Sequence, residues 1–136
     1  MRLLKRFRAA KVIRLAGALI DRHSQLRRGH AEGHPPSRSS GRAIVQDHWH
    51  RTPELAEARR TPTPVLLAAG ALAAAIETAE CDGDAGETEA LHSTLLLLWI
   101  CERDRIAPLH ELSGFDRRLF HQARSILRVS WVVNFD

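Results

Sequence analysis

The sequence predicts an all-α fold, a small bundle of about four to six helices, and three observations carry that expectation. Ala, Leu, Arg and Glu dominate and favour helix, while the one β-branched run of note is VSWVV, from Val129 to Val133. Two apolar runs, VLLAAGALAAAI from Val65 and LLLLWIC from Leu95, fall short of the roughly 20 residues that cross a bilayer and read as buried core helices. Thr-Pro pairs at Thr52-Pro53 and Thr63-Pro64 place an N-cap before a proline at the first helical position.

A basic first helix is expected from about Arg2 to Arg28, where Arg27 and Arg28 complement the negative helix end and Gly29 supplies a left-handed cap. GHAEGHPPSRSSGR then has the Gly, Pro and Ser content of a linker. The organisation predicted is therefore a basic N-terminal helix over 1–28, a linker or long loop over 29–43 and a helical bundle over 44–136. Within the bundle, AIVQDHWHR forms a short helix and TPELAEARR a second, capped by Thr52. A third helix opens at Thr63 and ends at an acidic turn. Its partner runs from about Ala85 to Arg103, and Pro108 marks the next break. Ser113 and Asp116 have capping-box spacing before the last helix, which puts Leu119, Phe120, Ala123, Ile126 and Leu127 on one side.

At 136 residues the chain has room for one modest core, and 44% apolar with 26% charged residues is ordinary globular composition. Tyr is absent and aromatic residues are few, which argues against a carbohydrate cleft or a platform that stacks single-stranded bases. Cys81 and Cys101 fall on antiparallel helices roughly 20 Å apart along the axis, too far to bridge. They read as reduced structural thiols in a reducing compartment. The N-terminal segment has charges through Arg14 and no small-residue cleavage site, so it is not read as a secretory signal and the protein is expected in the cytoplasm.

Charge is divided unevenly. Residues 1–60 carry 14 basic and 5 acidic groups, and residues 61–136 carry 6 basic and 11 acidic. Such a split suits a basic arm directed at an anionic partner, or two halves that attract one another within or between chains. Leu3, Leu4, Phe7 and Ala10 share one arc of the first helix, but Lys11 and Arg14 rotate back into it. Those charges would enter the acyl region of a bilayer, so membrane insertion or surface binding is not expected. Cations around the helix suit phosphates approaching from several sides.

Arg117, His121, Arg124 and Arg128 follow the i, i+4, i+7, i+11 spacing of one helix face. The expected function is non-enzymatic, sequence-independent binding to the phosphate backbone of RNA or DNA, as a small subunit alongside other protein subunits. Its contacts would come from Arg2, Lys5, Arg6, Arg8, Lys11, Arg14, Arg27, Arg28, Arg117, His121, Arg124 and Arg128. The alternative is a protein-protein assembly module whose acidic and basic halves pair. No P-loop, GxGxxG, nucleophile elbow or paired CxxC occurs, and no catalytic residue is nominated. HWH at His48 to His50 and HAEGH at His30 to His34 lack a partnered Cys or an HExxH arrangement, so these imidazoles are expected to meet phosphate or solvent, with no metal and no cofactor.

The acidic turn ECDGDAGETEAL permits another reading. DGDAGETE between two apolar helices resembles the Asp-Gly turn and following Glu of tellurite-resistance TerB-like domains, over Val65 to Leu97. The resemblance implies a third function, cation binding, with Asp82, Gly83 and Glu89 at the family-like positions and Asp84 and Glu87 nearby. Turn chemistry accounts for the same residues. Gly83 permits the turn, Asp84 and Glu87 have capping-pair spacing, and Glu87 and Glu89 favour the positive start of the next helix. Glu77, Glu80 and Asp82 oppose the dipole of the preceding helix, and an Arg from the basic half is expected to neutralise them.

Overall fold

Helix α3, Pro64–Cys81, is the axis on which the other helices pack. Around it lie α1 (Arg2–His30), α2 (Gly41–Arg51), α4 (Ala85–Glu102) and α5 (Gly114–Ser130), with 3-10 turns at Arg103–Arg105 and Leu109–Glu111. The computed structural model describes residues 2–30, 39–52, 63–106, 108–112 and 114–130. Side chains of α1 are described from Ala10 to Ser24 and those of α5 from Asp116 to Leu127. Among the described residues there is no strand, and the architecture is the all-α bundle that composition predicts.

Burial explains why α3 is central. Leu66, Leu67, Ala68, Ala69, Leu72, Ala73 and Ile76 are sealed from solvent, so the helix is apolar on most sides and must be surrounded. Each leucine enclosed this way contributes about 2 kcal/mol of transfer free energy. Among the described residues α3 alone is long and apolar enough, by length and composition, to reach across a membrane. That test is equally met by a core helix, and four others pack on α3.

Local chemistry sets the element ends. The Thr63 hydroxyl faces the Leu66 amide at 3.5 Å, with Pro64 at the first helical position, as the Thr-Pro signal predicts. At the far end Gly83 takes φ +71°, its N–H donates to the Glu80 carbonyl and the Asp84 N–H donates to the Ala79 carbonyl. This is the 5→2 and 6→1 pair of a Schellman closure. Asp84 then caps α4, its carboxylate accepting from the Glu87 N–H at 3.1 Å. The α3–α4 hairpin therefore closes on hydrogen bonds of its own backbone and caps.

Several boundaries differ from expectation. Helix α1 passes through Gly29 to His30, so Gly29 is not a left-handed cap; helical bonding outlasts the Arg-Arg-Gly signal. Helix α2 begins at Gly41, inside the stretch expected to be linker, because Ser40 caps it by accepting from the Ala43 N–H at 3.2 Å. Thr52 closes α2 and has extended dihedrals; the helix expected to follow it lies outside the described residues, as does the Ser113 cap. Cys81 and Cys101 are both exposed, so neither thiol fills the core.

The basic helix is built into the bundle rather than appended to it. Ala16 and Ile20 of α1 belong to the same buried cluster as Ile44 and Val45 of α2 and the leucines of α3 and α4. At their crossing α1 and α2 meet backbone to backbone: a Cβ on Gly41 would collide with the Gly17 carbonyl oxygen, and one on Gly17 would lie 2.7 Å from Arg42 Cα. Asp21 holds the joint, its Oδ1 accepting from the Gly41 N–H at 2.7 Å. On α5, Leu119, Ala123 and Leu127 are buried and Phe120 and Ile126 pack against the core, as periodicity predicts. Phe120 meets Trp99 of α4 at a centroid distance of 5.1 Å.

Candidate functional site

The outward face of α1 carries Lys11, Arg14 and Arg22, all exposed, while Ala16, Gly17, Ile20, His23 and Ser24 face inward. Arg2, Lys5, Arg6 and Arg8, with Arg27 and Arg28, lie within the same helix, outside the described side chains. Asp21 is the lone acid of α1. Its carboxylate is taken up by the Gly41 amide.

The second predicted row divides. Arg117 and His121 are exposed on α5, but Arg124 is half-buried and Arg128 lies outside the described side chains. The Arg117 guanidinium donates to the His110 carbonyl at 3.2 Å, and the His121 ring stands edge-on to Phe120. The exposed centre of this helix runs through Arg117, Arg118, His121 and Ser125. Helices α1 and α5 both pack on α3, and among the described residues they share at most marginal contact with one another.

Around the acidic turn the carboxylates take different structural roles. Asp82 ends α3, Asp84 caps α4, Glu87 is half-buried in its first turn and Glu89 is exposed. Among the described residues no three His, Cys, Asp or Glu side chains come together as a set able to hold a metal ion. The expected partner was an Arg from the basic half; the side chain that meets Glu80 comes instead from α4, with His92 Nε2 3.6 Å from Glu80 Oε1. A histidine twelve residues on was overlooked because its place opposite Glu80 exists only once the hairpin closes.

Two further features escaped the sequence reading. The first is a buried ionic cluster: Glu102, at the end of α4, accepts from His23 Nε2 at 3.1 Å and from the Arg105 guanidinium at 3.0 Å, with Arg22 at 3.9 Å. Burial alone would raise the Glu102 carboxyl, but the hydrogen bonds and charges of Arg105 and His23 outweigh it and hold the group below its ordinary 4.5. Beside it the hydroxyls of Ser24 and Thr94 meet at 3.3 Å.

The second is a groove of about 970 Å³ between α2 and α5, floored by α3. Ala71, Ala74, Ala75, Thr78 and Ala79 recur at i, i+3, i+4, i+7 and i+8, so one stripe of α3 is built from small side chains and leaves space above it. Ile44 and His48 form one wall and Leu119 and Gln122 the other, with Asp82 and Glu87 at one end. His48 is 6% exposed, and its Nε2 is buried with no hydrogen-bond partner. Burial pushes this imidazole below its ordinary 6.5, an effect that the Asp47 carboxylate partly offsets. His48 therefore does not face solvent as expected of the HWH motif, whereas His50 does. The small-residue spacing in ALAAAIETA was the signal available.

No family model matches the chain, and comparison with curated proteins and with solved structures returns no match.

Proposed function

We propose that the protein binds nucleic acid through its phosphate backbone, without reading base sequence, using the outward face of α1. The observation that supports this reading is the fate of Asp21. The helix has one carboxylate, and it is turned to the Gly41 amide at the α2 joint, so among the described side chains of α1 no acid stands beside Lys11 and Arg14 on the outward face. Such a face releases counterions from a polyanion at each contact, and affinity then depends steeply on salt. Because α1 is anchored in the core by Ala16, Ile20 and the glycine crossing, its cations are held on a rigid element.

The test is fluorescence anisotropy with labelled single- and double-stranded RNA and DNA of mixed sequence, over a salt series. The expected result is binding that weakens log-linearly with salt and differs little between sequences. Absence of binding at low salt, or binding indifferent to salt, overturns the reading.

A second reading, assembly through paired acidic and basic halves, has an observation of its own. Arg22 and His23 from the basic half converge on Glu102 from the acidic half within one chain. Sedimentation across a salt series without nucleic acid separates the two: self-association that salt dissolves belongs to the second reading alone.

A further inference from the structure

Resting on the reading of α1 as a phosphate binder, we infer that the binding surface crosses onto α2 through Arg42, and that the partner this crossing fits is a nucleic-acid duplex rather than a single strand. Three observations carry it.

The first is position. A Cβ on Gly17 would lie 2.7 Å from Arg42 Cα and 3.1 Å from Arg42 Cβ, so the root of this side chain sits against α1. Arg14 precedes Gly17 by three residues, about 5 Å at helical geometry. The Cα atoms of Arg14 and Arg42 are therefore at most about 9 Å apart. Lys11 stands three residues further along the same helix. All three side chains are exposed, and among the described residues none of them is ion-paired.

The second is that Arg42 stands where its own helix disfavours it. It lies in the first turn of α2, at the positive helix end, and that turn holds no acid. Asp21 reaches this end from α1, with its Oδ1 2.7 Å from the Gly41 N. Asp47, further along α2, pairs with Arg51 at 3.1 Å. With Asp21 counted at full charge against Lys11, Arg14 and Arg42, the crossing still holds more positive than negative groups. An anion laid across it relieves the repulsion among these cations and satisfies the positive end of α2 as well.

The third selects the form of the polyanion. Proteins that hold single strands stack bases on exposed aromatic rings. Among the described side chains of α1 and α2 no Phe or Trp is exposed, and Trp49 packs against the core. The cations sit instead on two helices that meet backbone to backbone, so their spacing is fixed. A duplex is stiff, with a persistence length of about 50 nm, and carries about one charge per 1.7 Å of axis, twice the density of either strand. Fixed cations meet such phosphates without having to order a flexible chain. Each contact also releases more counterion from a duplex, about 0.9 against about 0.7 for a single strand.

The experiment follows the full chain by fluorescence anisotropy with a short mixed-sequence DNA duplex, the RNA duplex of the same sequence, and each strand alone, across a salt series. A duplex is expected to bind at least fivefold more tightly than its own strands at equal salt, and whether the DNA or the RNA duplex does so names the source. Arg42→Ala, which keeps the Cβ at the joint, should weaken duplex binding several-fold and lower the salt slope by about one unit, as Arg14→Ala does. Its thermal midpoint should hold or rise, since a cation leaves a positive helix end. Arg42→Lys should restore both affinity and slope. Gln46→Lys, exposed one turn beyond Arg42, should tighten duplex binding, and the same charge added at Ser125 on α5 should gain less. Strands that bind as tightly as duplexes, an Arg42→Ala variant that keeps full affinity while Arg14→Ala loses it, or equal gains at Gln46 and Ser125 overturn the inference and leave the reading of α1 standing. Absence of binding by every probe at low salt overturns that reading, and this inference with it.

Discussion

His23 Nε2 lies 3.1 Å from Glu102 Oε1, and both side chains are enclosed, one from the first helix and one from the fourth. Seventy-nine positions apart, they fasten the basic helix to the acidic half. Breaking such a buried pair by removing one partner leaves the other group stranded. Glu102→Ala is therefore expected to lower stability by about 3 kcal/mol, read from the urea midpoint.

Glu102 also gives the fold an acid limit. Its carboxyl is held below 4.5 in the folded chain by Arg105 and His23, with Arg22 nearby, so it favours the fold above that value. The contribution fades as pH drops through the depressed folded value, because the unfolded chain then binds the extra proton. Urea midpoints measured from pH 6 to pH 3 should fall on the acid side in the wild type, and the fall should be shallower in Glu102→Gln.

His48 acts in a higher window. Being disposed to stay neutral when buried, it makes the unfolded chain the better proton acceptor below 6.5, so stability declines as pH drops from that value through the lowered folded one. His48→Leu removes the partnerless nitrogen and the titration together. It should raise stability by about 1 kcal/mol at pH 7 and by more at pH 5.5, read from urea midpoints at the two pH values.

The glycines separate by position. Gly41→Ala forces a methyl group into the Gly17 carbonyl and should cost about 2 kcal/mol. Gly83→Ala meets no neighbour within 4 Å but must hold φ +71°, which costs about 1 kcal/mol. Gly114→Ala, with open space and ordinary dihedrals, should be neutral or slightly stabilising. Thermal midpoints of the three variants should rank in that order.

On α1, Lys11→Ala and Arg14→Ala should each reduce the slope of log affinity against log salt by about one unit. Arg22→Ala should reduce it less, since its guanidinium already has Glu102 at 3.9 Å.

The bundle was legible where chemistry is local. Thr63 with Pro64, Gly83 with Asp84, and the Leu119, Ala123 and Leu127 face each depend on neighbours within a turn or two, and each appears in place. Long-range partners were not legible. His23 with Glu102, Asp21 with Gly41 and His92 with Glu80 are ordinary residue types at spacings without period, and only the packing of helices selects them. The groove was hidden for a related reason: an alanine stripe reads as core until the widths of the two flanking helices are known. Among the predicted cationic rows, Lys11 and Arg14 emerge exposed, whereas Arg124 turns partly inward because α5 is rotated to bury Leu127.

The crossing of Gly17 and Gly41 has a mechanical side. Two helices separated by long side chains can slide or roll as rotamers adjust, but two that touch through bare backbone have nothing to adjust. A slip of one residue would bring Arg42 or Ala18 into the gap, and neither fits where two backbones already meet. The joint is keyed. A load applied to the cations of α1 would pass into the core without lost motion, so the helix should respond to whatever grips it as a handle rather than as a hinge.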